Sequence, residues 1–404
     1  MVIRRLDSPR RDSTLRRRLF AALTFVALAI AHAEGTQAQT ELPPGARVRL
    51  GTLKFLAGSS ASAMAFSPDG KTIIWQGADD GSNFTVRHWD LATAKELNRF
   101  IGDDWGDGPQ QFSIFHVIDN NSLLHTSANG LTLLDLKTGK ESLVTELARG
   151  KPSWISPDGK RVLTYSRRGS WTKRTAAATF TLWDLARSEK IREFTHDFKD
   201  APAKVSAGAH LTAVAFTPDG KTFATSWVYV AHGPMLTYRV GQVVSLWDVA
   251  SGKEHSLDAE AAYNLHFLDG GKILACADGR GAGGARSTND LNHGMMEIWD
   301  VAADKKLHTF KSSVDWSGPL VISPDGKLFA SGGGEEENAV VVWRTASGEQ
   351  VRKFTGHRAK VRLLAFSPDG RMLASGIDDT LYNEKENSPR LAESILVWDV
   401  QELR

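Results

Sequence analysis

From about residue 46 onward, short apolar runs alternate with tight polar turns along the whole chain. The stretch VRLLAFSPDGRMLASG (Val361–Gly376) shows the unit: apolar and polar positions alternate on both sides of Ser367-Pro368-Asp369-Gly370. A period of two predicts β-strands. The turn between them has its own chemistry, since Pro fixes φ, Asp hydrogen-bonds back to the backbone and Gly accepts a positive φ. The segment therefore predicts a hairpin. The same turn recurs in AFSPDG from residue 65, ISPDG from 155, AFTPDG from 215 and VISPDG from 321, with weaker copies in VIDNN from 117 and FLDGG from 267.

A second signature alternates with the first. Strand-like runs close on Trp-Asp in VRHWD, TLWDL, SLWDV, MEIWD and ILVWD, with variants at Leu134-Asp135 and Trp343-Arg344. The seven turns and seven strand ends interleave with a spacing of roughly 45 to 60 residues, and a fixed period of that size predicts a repeat architecture. The last strand end, ILVWDVQELR, raises a question of pairing. Six earlier copies are followed by a further strand (ELNRF, SLVTEL, KIREF, EHSLD, KLHTF and QVRKF), but the last is followed by almost nothing.

These residues resemble the WD40-repeat β-propeller family over about residues 46–404. The resemblance implies an all-β, seven-bladed WD40-type β-propeller in which each blade has strands a to d, the SPDG turn joins a to b, and Trp-Asp closes c. Gly356-His357, the turn at Ser367–Gly370 and Ser375 follow the family's order. Only the last repeat keeps Gly-His, so the family's structural hydrogen-bond set is complete only as His357, Ser375 and Trp398. The missing outer strand is expected from RVRLGTLKF (Arg47–Phe55), which would pair with the last c strand and close the ring without an open sheet edge. Counting five residues on from each turn places Trp75, Thr126, Thr164, Thr225, Cys276, Ser331 and Ser375 at one polar position of strand b. Cys276 is thus expected to be a buried, unreactive thiol.

Composition changes this picture at the N-terminus. Seven arginines (Arg4, Arg5, Arg10, Arg11 and Arg16 to Arg18) precede the apolar run Leu19–Ala31, and Ala31-His32-Ala33 follows. A basic head, an apolar middle and A-x-A predict an export signal over residues 1–33, with a linker over 34–45. Arg17-Arg18-Leu19-Phe20 also resembles a twin-arginine signal, with Arg16 where Ser or Thr is usual. The alternative is an anchor by an uncleaved N-terminal segment, although thirteen apolar residues are short for a span. The expected location is the periplasm or outside the cell, with no transmembrane span in the mature chain. The leader holds seven Arg against two Asp, so the +2 of the whole chain becomes −3 for residues 34–404. A basic total would have favoured nucleic acid, and this balance removes that argument. With one cysteine, no intrachain disulfide and no cysteine-based zinc site can form.

No H-E-x-x-H, G-x-S-x-G, P-loop or calcium-loop motif occurs. GRGAGG at 279–284 falls in a b–c connection of the repeat frame, not before a helix that could take a phosphate. The longer b–c connections, in blades 3, 4, 5 and 7, share one face of the ring and differ in charge. Blade 3 offers Arg167, Arg168, Lys173 and Arg174 around Trp171; blade 6 offers Glu335 and Glu336, and blade 7 Asp378 and Asp379. These residues are the candidate partner-binding set, because opposed charge orients a partner. The expectation is a non-catalytic, monomeric ring without cofactor or metal that binds a protein or peptide in the bacterial envelope or outside the cell. The alternative is a propeller enzyme or small-ligand binder using the central pocket on the b–c face.

Overall fold

The structure is a computed structural model that describes residues 42–50, 60–79, 83–102, 115–127, 129–149, 151–169, 176–198, 205, 208–232, 237–259, 264–277, 295–311, 319–332, 338–357, 359–377 and 395–404. The chain divides between Pro43 and Pro44, and the propeller is the second unit. Seven four-stranded antiparallel sheets are present among the described residues, arranged as the blades of a ring. Blade 1 comprises Ser60–Phe66, Thr72–Asp79, Asn83–Asp90 and Glu96–Gly102, as strands a, b, c and d. Blade 2 comprises Phe115–Asp119, Ser122–Ser127, Gly130–Asp135 and Glu141–Thr145; blade 3, Ser153–Ile155, Arg161–Arg168, Ala177–Asp184 and Glu189–Asp197. Blade 4 comprises Gly208–Phe216, Thr222–His232, Thr237–Asp248 and Glu254–Leu257; blade 5, Asn264–Leu268, Ile273–Ala277, Met295–Asp300 and Lys305–Lys311. Blade 6 comprises Leu320–Ile322, Leu328–Gly332, Val340–Arg344 and Gln350–Phe354. Blade 7 takes strands a to c from Val361–Phe366, Met372–Ile377 and Ile395–Asp399, and strand d from Ala46–Leu50 near the other end of the chain.

That last pairing answers the question left by ILVWDVQELR. Leu50 lies opposite Ile395, Arg49 opposite Leu396 and Ala46 opposite Trp398. The closing strand is Ala46–Leu50; the rest of the expected stretch, residues 51–55, lies outside the described residues. Arg404 ties the same blade to blade 6 at the SPDG end: its guanidinium lies 2.7 Å from Asp325 Oδ2 and donates to the Asp369 carbonyl at 2.8 Å.

Each SPDG turn is closed by the residue before its proline. Ser67 Oγ donates to Asp69 Oδ1 at 2.7 Å and accepts from the Thr72 amide at 3.0 Å, while the Lys71 amide donates to Asp69 Oδ1. Ser156, Thr217, Ser323 and Ser367 repeat this bonding in blades 3, 4, 6 and 7, all of them buried. The buried hydroxyl thus pairs backbone and carboxylate groups at the base of an exposed hairpin tip, and Gly70 completes the turn at φ +70°.

The core sits between the blades. Seven hydrophobic clusters occur among the described residues, and each joins one blade to the next. Leu50, Ile395 and Val397 of blade 7 pack with Ile73, Trp75 and Trp89 of blade 1, so the interface that closes the ring is as apolar as the others. The largest cluster is aromatic: Phe180 and Phe194 of blade 3 meet Phe223, Trp227 and Trp247 of blade 4, with Phe194 edge-on to Phe223 at 4.9 Å. Such pairs add about 0.5–1.5 kcal/mol to simple burial.

An outer girdle adds to this. Asn98 of blade 1 donates to the Leu136 carbonyl of blade 2 at 2.7 Å, and Arg192 of blade 3 donates to the Ala250 carbonyl of blade 4 at 2.8 Å. Phe310 of blade 5 lies on the turn glycine Gly348 of blade 6, where a β-carbon would run into its ring. No helix among the described residues is long and apolar enough to cross a membrane.

Candidate partner-binding face

Because the strands of a blade alternate in direction, the b–c connections and the connections between blades emerge at one end of the ring, opposite the SPDG turns. The structure corrects the expected form of this end in blades 3 and 4. Blade 4's long b–c segment is mostly strand: Thr222–His232 pairs with Thr237–Asp248 along its whole length. In blade 3, strand b runs to Arg168, which lies opposite Ala177. Arg167 and Arg168 therefore stand on a strand and not in a loop. The reason is local: SWVYVAH and TYRVGQVVSLW are rich in β-branched and aromatic residues, so added chain continues the ladder.

The two arginines remain exposed. Arg167 Nη1 donates to the Ala209 carbonyl of blade 4 at 3.3 Å, a bond that fixes its stem across the blade boundary. Burial lowers the pKa of His210, and the Arg167 charge lowers it further. Burial raises that of Tyr165, while Arg167 acts in the opposite sense. Arg167, His210 and Tyr165 thus share one electrostatic neighbourhood. The remaining members of the expected set, Trp171, Lys173, Arg174, Glu335, Glu336, Asp378 and Asp379, lie outside the described residues, as does GRGAGG.

The structure brings His357, Ser375 and Trp398 together. Trp398 Nε1 donates to Ser375 Oγ at 2.7 Å, and Ser375 Oγ lies 2.6 Å from His357 Nε2. The serine accepts from the indole, which leaves its own proton for the imidazole. Burial and then the Arg49 charge push the His357 pKa down to about 3, so the ring is neutral and can accept. All three side chains are buried, which makes this a brace inside blade 7.

Shorter versions of the brace occur elsewhere. The indoles of Trp183, Trp247 and Trp343 donate to Thr164, Thr225 and Ser331 at 2.9, 3.0 and 3.3 Å. In blade 2 the register corrects the residue count: His125, not Thr126, lies opposite Thr132 at the corresponding place. The Asn120-Asn121 turn is shorter than SPDG, because Asp119 already pairs with Ser122.

Blade 5 departs in chemistry. Cys276 occupies the serine place and is fully buried, and burial together with the charge of Glu297 raises its thiol pKa. A thiol is a weak acceptor, and Trp299 Nε1 donates instead to Glu297 Oε2 at 3.2 Å. Glu297 is itself fully buried and lies 2.8 Å from Lys306 Nζ. The count from the turns found Cys276 but gave no sign of the acid opposite it. The signal was MEIWD, where a charge interrupts an otherwise apolar strand. Among the described residues, no three His, Cys, Asp or Glu side chains are grouped so as to hold a metal ion.

Comparison with known proteins points the same way as the fold. The family model "WD domain, G-beta repeat" matches residues 348–382, from the c–d turn of blade 6 to just past strand b of blade 7. The chain is 27% identical over 207 residues to the B-type cell cycle switch protein ccs52A of Medicago truncatula, covering 48% of this chain and 39% of that protein. It is 26% identical over 221 residues to the WD repeat and SOCS box-containing protein 1 of Takifugu rubripes, covering 43% and 49%. The human protein of that name is 32% identical over 85 residues, 21% of this chain and 20% of its own length. The matched stretches thus span less than half of each relative. Residues 348–382 carry the repeat and the seven sheets form the matching ring, and together they support the WD40-repeat family for this chain.

Proposed function

We propose that this propeller is a non-catalytic scaffold that holds a protein or peptide partner on the face formed by the b–c ends of its blades. One observation carries the reading: Arg167 and Arg168 stand exposed on a strand end, and Arg167 is held there by the Ala209 carbonyl. Charged groups fixed before binding lose little freedom when a partner docks. The similarity to WD repeat and SOCS box-containing protein 1 is compatible with an interaction role. We further propose that residues 1–33 direct export and are removed, so that a monomeric ring works in the periplasm or outside the cell.

Crosslinking tests the face. A photo-reactive amino acid at position 168 should form partner adducts in cells, and the same group at position 221, on the exposed SPDG end, should not. Adducts at 221 with none at 168 would overturn the assignment. For export, cell fractionation with mass measurement should find a chain beginning at Glu34 outside the cytoplasm. A full-length chain retained in the cytoplasm would refute it.

A further inference from the structure

The blade 3 corner of this face gathers more positive charge than the b–c segment alone supplied. The connection from blade 2 into blade 3 reaches the same end. It is a tight turn in which the Arg149 amide donates to the Glu146 carbonyl and the Lys151 amide to the Ala148 carbonyl. The next residue, Pro152, accepts from the Tyr165 amide at 3.0 Å, which sets Lys151 beside the strand that carries Arg167 and Arg168. Arg149, Lys151, Arg167, Arg168 and His210 are all exposed. The acids described at this corner are Glu146 in the turn and Asp197, which lies opposite Ala177 on the outer strand. Blade 4 stands over one side, since its strands b and c, of 11 and 12 residues, exceed the 8 of blade 3's b and c.

We propose that this corner binds acidic peptide segments, with Arg149, Lys151 and Arg168 as exposed cations, Arg167 held across the boundary of blades 3 and 4, and His210 in its electrostatic neighbourhood. The inference rests on the b–c face being the working face and names the chemistry of what docks there. The cations are contributed by two chain segments, the turn into blade 3 and its strand b, and sit at a rim, an arrangement that suits carboxylates spaced along a chain better than one compact anion. Nucleic acid fits less well. Residues 34–404 carry a net charge of −3, and an extended polyanion lies across more of that surface than a short peptide that stays within the basic corner.

The probe is a fluorescent decapeptide of alternating Glu and Ser, with Gln/Ser and phosphoserine versions and a single-stranded oligonucleotide of equal charge as comparisons. Anisotropy is measured on the whole propeller at low and at raised salt. The Glu peptide should bind and the Gln peptide should not. The triple variant R149Q/K151Q/R168Q, which leaves the bond from Arg167 to Ala209 in place, should lose roughly tenfold in association rate at low salt and less at raised salt. Lys71→Gln with Lys221→Gln, on the SPDG end, should change nothing. Bound Glu peptide should also raise the midpoint of the His210 NMR titration, which a merely structural role would not do.

The inference is overturned by equal binding of the Glu and Gln peptides, or by wild-type affinity in the triple variant. It is also overturned if the phosphopeptide or the oligonucleotide binds while the Glu peptide does not. Crosslinking at position 168 separates the two readings. If crosslinking succeeds and the peptides are not discriminated, only the acidic-peptide inference falls; if it fails, the face itself is wrong.

Discussion

Protonation of His357 should make acid destabilise this propeller through blade 7. The ring is 7% exposed, its Nε2 is 2.6 Å from Ser375 Oγ, and its Nδ1 is buried without a partner. Charging it would put a proton on Nε2, the atom that accepts from Ser375, and would set a buried charge near the Arg49 guanidinium that already opposes it. In the folded chain the pKa is about 3, against 6.5 for the free group. Above 6.5 both states are neutral and nothing is lost. Below it the unfolded chain takes up a proton that the folded chain refuses, so stability falls as pH falls, until the folded ring titrates near 3. Each pH unit in that window costs about 1.4 kcal/mol, which comes to about 2 kcal/mol at pH 5.

Other histidines with lowered pKa, His88, His116, His210 and His266, act in the same direction. The test therefore compares the wild type with His357→Gln, in which those contributions cancel. At pH 7.5 the variant should be less stable by about 1 kcal/mol, because it weakens the contact with Ser375. At pH 5 the gap should close or reverse, because Gln does not titrate. Calorimetric melting at the two pH values reads the difference as a relative shift of a few °C. Parallel melting curves with a constant gap would falsify the account of a neutral, buried His357.

Three further outcomes follow from the packing. Lys306→Met leaves the Glu297 carboxylate in a fully buried position without its 2.8 Å cation, so it should lose about 3–5 kcal/mol, with most of that recovered by adding Glu297→Gln; a melting shift no larger than that of an exposed lysine would refute this. Gly348 and Gly270 have nearly the same φ, +67° and +65°, but only Gly348 has a neighbouring ring, Phe310, in the way of a β-carbon. Gly348→Ala should therefore cost about 1–3 kcal/mol more than Gly270→Ala, and equal losses would remove the girdle contact from the account. The Cys276 thiol should resist a maleimide at pH 8 in the folded chain and react on unfolding, since burial and Glu297 hold it protonated; fast labelling of the native protein would contradict its burial.

The sequence alone determined the repeat. SPDG and Trp-Asp are local signals, because turn geometry follows from Pro, Asp and Gly within four residues and strand alternation from neighbouring positions. Their interleaving yielded seven blades, and the surplus strand at the N-terminus predicted the closure seen between Leu50 and Ile395. The brace of His357, Ser375 and Trp398 was legible for the same reason: its residues are counted from fixed marks.

Tertiary structure decided what depends on register and on neighbouring blades. Counting from the turn chose Thr126, but the shorter Asn120-Asn121 turn puts His125 opposite Thr132. Length alone made the b–c segments of blades 3 and 4 look like loops, whereas ladder bonds continued them as strands. The serine before each proline looked like part of a turn motif; its role in closing the hairpin appears only from its burial and its bonds to Asp and to the following strand. Arg149, Lys151 and His210 gave no signal as a group, because they belong to different chain segments and share one end of the ring only when it stacks blade 2 against 3 and 3 against 4. Side-chain spacing along one strand is set by the covalent chain, but the distance between blades is set by the packing of seven separate hydrophobic clusters, which no local pattern encodes.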